Sequence, residues 1–194
     1  MIIAAIVLVL AAGSSDPIAT VDPGYPPNAV GGGTVVATLD VVNGSVTRVD
    51  MISGAEPFAS SARAALVAWQ FPPSPETEQV SVVVDFVPPG VYAVGSEERR
   101  LAQPPEGSAG PYPQTILEPQ YPPDGTGQGA VILAVDLDAK GNVDEVGVVR
   151  DLGAFTRAGI QAVRKWLFSP ARDSSGDKRP SRVYAVLVFR APVL

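Results

Sequence analysis

The sequence predicts an α+β protein built from two tandem β-β-α-β units, each a three-stranded antiparallel sheet with one helix across one face. Three observations predict it. A set of motifs recurs along the chain in nearly constant register. Each copy opens with an alternating strand that runs into a Gly-bearing hairpin. Each then carries one apolar helical stripe that ends in an aromatic pair and a proline.

The repeat sets the register. Tyr25-Pro26-Pro27 returns as Tyr121-Pro122-Pro123, and Gly33 as Gly129, an offset of 96. Past the first hairpin the offset becomes 97, pairing Gly44 with Gly141, Phe58 with Phe155, Trp69 with Trp166 and Phe71 with Phe168. Phe86 then matches Phe189 at an offset of 103, so the last turn is longer in the second copy. Length changes confined to turns are what a folded repeat tolerates.

Within the first copy, Val35, Ala37, Leu39 and Val41 fall on one face of a strand. Asn43-Gly44 supplies the positive φ angles of a tight turn, and Val46 to Ile52 makes the return strand. In the second copy, 130–137 leads through Asp138-Ala139-Lys140-Gly141 into 143–149, a loop one residue longer. Phe58, Ala62, Ala65 and Trp69 form one helical stripe, repeated by Phe155, Gly159, Ala162 and Trp166. Pro72-Pro73 and Pro170 stop the helices. The closing strands are 82–86 and 183–189.

These boundaries divide the chain into residues 1–15, a first unit 16–87, a Pro-rich linker 88–117 and a second unit 118–194. The linker holds Pro88-Pro89-Gly90, Pro104-Pro105 and Pro111-Tyr112-Pro113, and few of its residues suit a core, so it reads as semi-rigid and extended. Ile2 to Ala12 is an unbroken apolar run followed by Gly13-Ser14-Ser15. As a helix it would span about 17 Å, against roughly 30 Å of bilayer hydrocarbon. It fits a signal peptide or a short inner-membrane anchor at residues 2–12.

Composition narrows the chemistry. There is no Cys and no His, which removes disulfides, thiolate zinc sites and every Ser-His or Cys-His arrangement. No metal site, cofactor or catalytic residue is expected. Residues 1–118 carry four basic against twelve acidic side chains, and 119–194 carry ten against eight. No basic stripe emerges, so nucleic acid is not an expected partner. Asp136-Leu137-Asp138 and Asp144-Glu145 lack the frame of a calcium loop. A small carboxylate-dependent enzyme remains a further alternative, although units this small leave little room for a cleft.

The ordered set Tyr-Pro-Pro, Gly before a strand, Gly in the hairpin and a helix closed by Trp-x-Phe-x-Pro resembles the TonB C-terminal domain. The second copy is the closer match, through Glu118-Pro119-Gln120-Tyr121-Pro122-Pro123, Gly141-Asn142-Val143 and Ala162-Val163-Arg164-Lys165-Trp166-Leu167-Phe168-Ser169-Pro170. The first copy keeps Tyr25-Pro26-Pro27 and Trp69-Gln70-Phe71-Pro72-Pro73. The resemblance implies a periplasmic module that binds an extended peptide segment of an outer-membrane transporter, or of another envelope protein, by strand addition. It implies a docking edge at Val183, Tyr184, Ala185, Val186, Leu187, Val188 and Phe189, with Gln120 close to the bound segment. A full transducer of this family also has a membrane helix with an essential His and a long Pro-rich span, features that this sequence does not show. The alternative from another class is a self-associating envelope protein, such as a homodimer, that pairs through its edge strands.

The 183–189 strand adds its own expectation. Val183, Ala185, Leu187 and Phe189 share one face, and Tyr184, Val186 and Val188 the other, so both faces are apolar. One helix covers only one of them. The second face needs a partner strand, the first unit or another molecule.

Overall fold

The computed structural model describes residues 15–29, 31–88 and 98–191. The apolar run Ile2–Ala12 lies outside the described residues. Among the described residues, no helix is long and apolar enough to cross a membrane.

The first unit runs β1 (Gly33–Val42), β2 (Ser45–Ser53), α1 (Phe58–Leu66) and β3 (Glu78–Val87). Residues between the units form β4 (Glu98–Arg100) and β5 (Tyr112–Leu117). Then come β6 (Gly129–Leu137), β7 (Val143–Arg150), α2 (Ala154–Val163), β8 (Leu167–Ser169), β9 (Ala171–Arg172), β10 (Lys178–Arg179) and β11 (Ser181–Phe189). The β9–β10 hairpin, turning at Gly176, accounts for the longer last turn.

The two units repeat the same contacts. Asn43 and Gly44 take φ of 49° and 79° in the first hairpin, and Gly141 takes 88° in the second. The Phe71 amide donates to the Gly44 carbonyl at 2.7 Å, and the Phe168 amide to the Gly141 carbonyl at 3.1 Å. A Cβ on Gly44 or Gly141 would collide with the Phe71 or Phe168 carbonyl oxygen, so both the conformation and the approach demand glycine. Trp69 Nε1 donates to the Val21 carbonyl at 3.2 Å, and Trp166 Nε1 to the Leu117 carbonyl at 3.0 Å. Tyr25 and Tyr121 stand edge-on to Phe58 and Phe155, and their hydroxyls donate to the carbonyls of Gly31 and Gly127. These pairs show why Trp and Tyr stand where they do: the Trp rings are buried, the Tyr rings half-buried against the same cores, and each satisfies its polar atom on a nearby backbone carbonyl.

The units differ from the expectation in how their sheets end. Two separate three-stranded sheets do not form. One six-stranded sheet runs β2-β1-β3-β11-β6-β7, with β3 and β11 side by side at its centre. They pair in parallel from Val183 opposite Ser81 to Phe189 opposite Val87. All other neighbours in this sheet are antiparallel.

The register explains the layering. Phe86 and Phe189 are repeat equivalents, yet Phe86 lies opposite Val188. Equivalent residues are thus one step out of register across the seam and point to opposite faces. The two helices follow them to opposite sides of the sheet. One core gathers Phe58, Ala62, Leu66, Val82, Val84 and Phe86 from the first unit with Ile132, Tyr184, Val186 and Val188 from the second. The other gathers Phe155, Val163, Trp166, Leu133, Leu187 and Phe189 with Val36, Val83 and Val87. The arrangement has approximate two-fold symmetry about an axis lying in the sheet along the strands.

The linker expectation also needs correction. Tyr112 and Ile116 are buried, at 3% and 0% exposure, and β5 lies between β4 and β8 in a second sheet of three strands. Its counterpart in the first unit is the segment around Ala19, which bridges Gln70 as Thr115 bridges Leu167. The sequence 111–117 therefore belongs structurally to the second unit. Proline spacing concealed it because Pro113 sits at the end of β5 that β4 does not reach, where a missing donor is tolerated.

Because both cores cross the seam, the units should unfold together. Trp69→Ala and Trp166→Ala should each cost about 3–5 kcal/mol and lower the midpoint of one denaturant transition, with far-ultraviolet circular dichroism and fluorescence of the remaining Trp coinciding. A separate early loss of about half the dichroism would show that the units unfold independently.

Candidate functional site

The strand expected to carry binding is β11, and the structure places it at the centre of the sheet. Val183, Tyr184, Ala185, Val186 and Leu187 are fully buried, and Val188 and Phe189 nearly so. One side pairs with β6 over Ser181–Phe189, the other with β3 over Val183–Phe189. The expected open edge is not open in this conformation, since the first unit holds it. Physically, a strand apolar on both faces gains most when both flanks and both faces are covered, and β3 is the equivalent strand with the equivalent need.

Each face of β11 is sealed by a specific element. On one side Tyr184 packs edge-on against Trp69 and Phe71, 6.2 and 6.3 Å between centroids. Its hydroxyl lies 3.2 Å from Asp16 Oδ1. Arg182 forks onto Asp136 at 2.7 and 2.8 Å, and Arg150 pairs with Asp22. The segment from Ser15 to Asp22 thus straps the second unit to the first, with the Ile18 amide on the Gln70 carbonyl at 2.8 Å. On the opposite side Phe189 stacks against Phe155 at 4.8 Å. Gly159 lets α2 approach so closely that a Cβ there would lie 2.7 Å from Leu187 Cδ1.

Gln120 sits elsewhere. It lines a cavity of about 280 Å³ between Leu117–Asp124 and the Ala154, Ala158 and Ala162 side of α2, and no residue of β11 is among the walls. The first unit closes the corresponding space: the Ser61 hydroxyl donates to the Gly24 carbonyl, where the second unit has Ala158 and Gln120. The sequence-predicted set is therefore divided, with the strand in the core and Gln120 on the surface beside α2. A larger open cleft of about 960 Å³ lies over the helix-free face of the first unit, with Val36 and Ile52 on its floor and Asp50, Glu78, Glu106 and Glu145 at its rim. Among the described residues no group of His, Cys, Asp and Glu is arranged to hold a metal ion.

Sequence reasoning missed one polar group at the seam. Asp85 is fully buried in β3, opposite Leu187 of β11. Its Oδ1 accepts from Thr34 Oγ1 at 2.9 Å and from Arg99 Nη1 at 3.3 Å, while its Oδ2 has no partner among the described residues. Arg99, on β4, also donates to Thr34 Oγ1 at 2.6 Å and pairs with Glu118. One guanidinium thus ties the first unit, the intervening chain and the start of the second unit. The available signal was a lone carboxylate in an otherwise apolar run, Val82-Val83-Val84-Asp85-Phe86.

Burial raises the Asp85 pKa, with Arg99 and Thr34 opposing. An acid with a raised folded pKa ionises first in the unfolded chain, so its contribution falls as pH climbs above about 3.9 and levels off past the folded value. Removing Arg99 widens that gap. Arg99→Ala should cost about 1–3 kcal/mol at pH 7 and recover much of the loss as pH falls toward 4. Denaturation midpoints of parent and variant measured at both pH values would show this, and an equal gap at both would contradict it.

Comparison with known proteins places the second unit. Residues 118–190 match the family model for the Gram-negative bacterial TonB protein C-terminal. Protein TonB of Xanthomonas campestris pv. campestris, from strains B100 and ATCC 33913, is 43% identical over 79 residues. The match covers 37% of this chain and 34% of each relative, so the chain spans about a third of the length of these curated proteins. No solved structure matches significantly. The matched range includes the Tyr121 ring and its carbonyl anchor, the Gly141 turn, the Trp166–Phe168 pair and β11, so residues 118–190 are similar to the TonB C-terminal domain from β6 through β11 of the second unit.

Proposed function

We propose that this chain is a non-catalytic binding module of envelope transport, working in the periplasm. It engages an extended segment of an outer-membrane transporter, or of a related envelope protein, by strand addition at Val183–Phe189. The first unit is a diverged copy of the same domain whose β3 holds that edge in the resting form. The similarity of residues 118–190 to the TonB C-terminal domain supports the transport role. The observation that carries the mechanism is the parallel ladder between β3 and β11: this edge accepts an added strand along seven consecutive residues. Gln120, 63 residues upstream of Val183 and beside α2, would contact a partner's flanking residues, with the strand itself on β11. No cofactor is needed for such binding, since backbone donors and acceptors supply the affinity.

On this reading, docking requires the two units to part along the seam. A double substitution Val83→Cys with Ala185→Cys puts two thiols on directly paired positions, where neighbouring strands lie about 4.8 Å apart and a disulfide can close. A Val-, Ile- and Thr-rich extended peptide should bind the reduced protein in the micromolar range or more weakly (about −8 kcal/mol or less favourable). Oxidation should reduce that binding at least about tenfold, a change near 1.4 kcal/mol. Equal binding by the oxidised and reduced forms, or none by either, would exclude docking on β11.

A further inference from the structure

The six-stranded sheet ends in two outer strands, β2 and β7, that occupy equivalent places in the two units. Thr38 faces Asp50 in β2 as Ala134 faces Gly147 in β7. These equivalent edges carry opposite instructions for pairing with a second copy of the chain.

Consider an antiparallel pairing of β7 with another β7 about a two-fold axis at Gly147. Val146 then meets Val148 of the other copy, and Glu145 meets Val149, each contact occurring twice. Asp144 meets Arg150, again twice. The edge is regular from Glu145 to Val148 and has register shifts at either end, which turn Asp144 and Val149 out of strict alternation. With those shifts Glu145, opposite Asp136, and Arg150, opposite Ile132, share one sheet face, so an acidic end meets a basic one. On the other face Val146 is half-buried and Val148 is 48% exposed, an apolar pair that a second copy would cover. Arg150 already pairs with Asp22, and its remaining N–H groups can serve a second carboxylate.

The same operation on β2 fails. Its centre is Asp50, so two like charges would meet at the axis. Asp50 is also engaged by Arg48 within its own strand at 2.8 Å. A charge at the middle of an outer strand is a common block against edge-to-edge assembly.

We infer that β7 is an isologous dimer edge that joins two copies into one continuous twelve-stranded sheet, and that Asp50 of β2 ends the assembly there. With one complementary edge and one blocked edge, association closes at two copies instead of growing into a filament. This inference rests on the outer strand alone and stands or falls independently of docking on β11.

Sedimentation velocity of the full chain across a concentration series tests it. The weight-average mass should rise from 20.1 kDa toward twice that value as concentration increases. Gly147→Asp reproduces the β2 centre in β7. A Cβ at Gly147 meets nothing closer than 3.8 Å, so the variant should keep the parent's circular dichroism and lose the dimer. Val148→Lys, at an exposed position, should do the same. Asp50→Gly should convert the dimer to larger, concentration-dependent species. A parent that stays monomeric up to about 1 mM, the limit of weak association, overturns the inference, as does a folded Gly147→Asp protein that dimerises like the parent. A monomeric parent that captures a foreign extended peptide on β7 also overturns it, because the edge would then serve another occupant.

Discussion

Two strands that are apolar on both faces have to be buried on both faces, and this architecture follows from that demand. β3 and β11 each close a unit whose helix covers one side only. Lying parallel and flipped with respect to each other, they give each helix one half of the sheet to cover. The half left bare is covered by the strap from Ser15 to Asp22 on one face and by β4–β5 on the other. Had the strands paired with both helices on one side, the opposite face of the six-stranded sheet would have had no helix to cover it. At about 25 cal/mol per Å² of apolar area, the choice between these packings is large compared with the stability of a domain of this size.

Burial on that scale makes the polar contacts near the seam selective in position. Arg99 and its carboxylates work across three segments of chain, and Arg182 with Asp136 joins β11 to β6. Pairs of this kind add little to net stability, because desolvation offsets attraction. Their effect is on register. A one-residue slip of β3 against β11 would carry Asp85 to the other face, into the cluster of Phe58, Phe86 and Tyr184 and away from Thr34 and Arg99.

Much of this was legible in the residues, and the rest failed for a definite reason. Asn43-Gly44 and Gly141 mark their turns because a positive φ is a local requirement. Phe58, Ala62 and Ala65, and Phe155, Gly159 and Ala162, mark their helices because amphipathic period is local too. Trp69 and Trp166, read as the ends of those stripes, lie three residues past the helices, which stop at Leu66 and Val163. The double-faced apolar run of 183–189 correctly demanded a second cover. Which element supplies that cover is a tertiary property, and no local pattern in 183–189 distinguishes an open edge from one held by β3. The position of Gln120 had the same fate: its neighbours along the chain place it before Tyr121, but not on the α2 side of the unit. Tyr112 and Ile116 were hidden by prolines that mark a semi-rigid, extended linker on average and say nothing about a single buried ring. Asp85 could be seen as an anomaly, but its partner, Arg99, is fixed only by the fold.

Joining the two halves in one polypeptide changes the thermodynamics of their contact. Two separate chains would part on dilution. Here β3 stays tethered near β11 whatever the protein concentration, at an effective concentration on the order of millimolar for a short connection. Any external strand seeking β11 competes against a rival that cannot diffuse away. Its intrinsic affinity, or its local abundance at a membrane surface, must be high enough to outbid that rival. Substitutions that weaken only the β3 half of the contact would lower that threshold without altering the surface an incoming strand meets. Because the halves are encoded separately, such tuning is open to this chain and closed to a symmetric homodimer, in which every change strikes both sides at once.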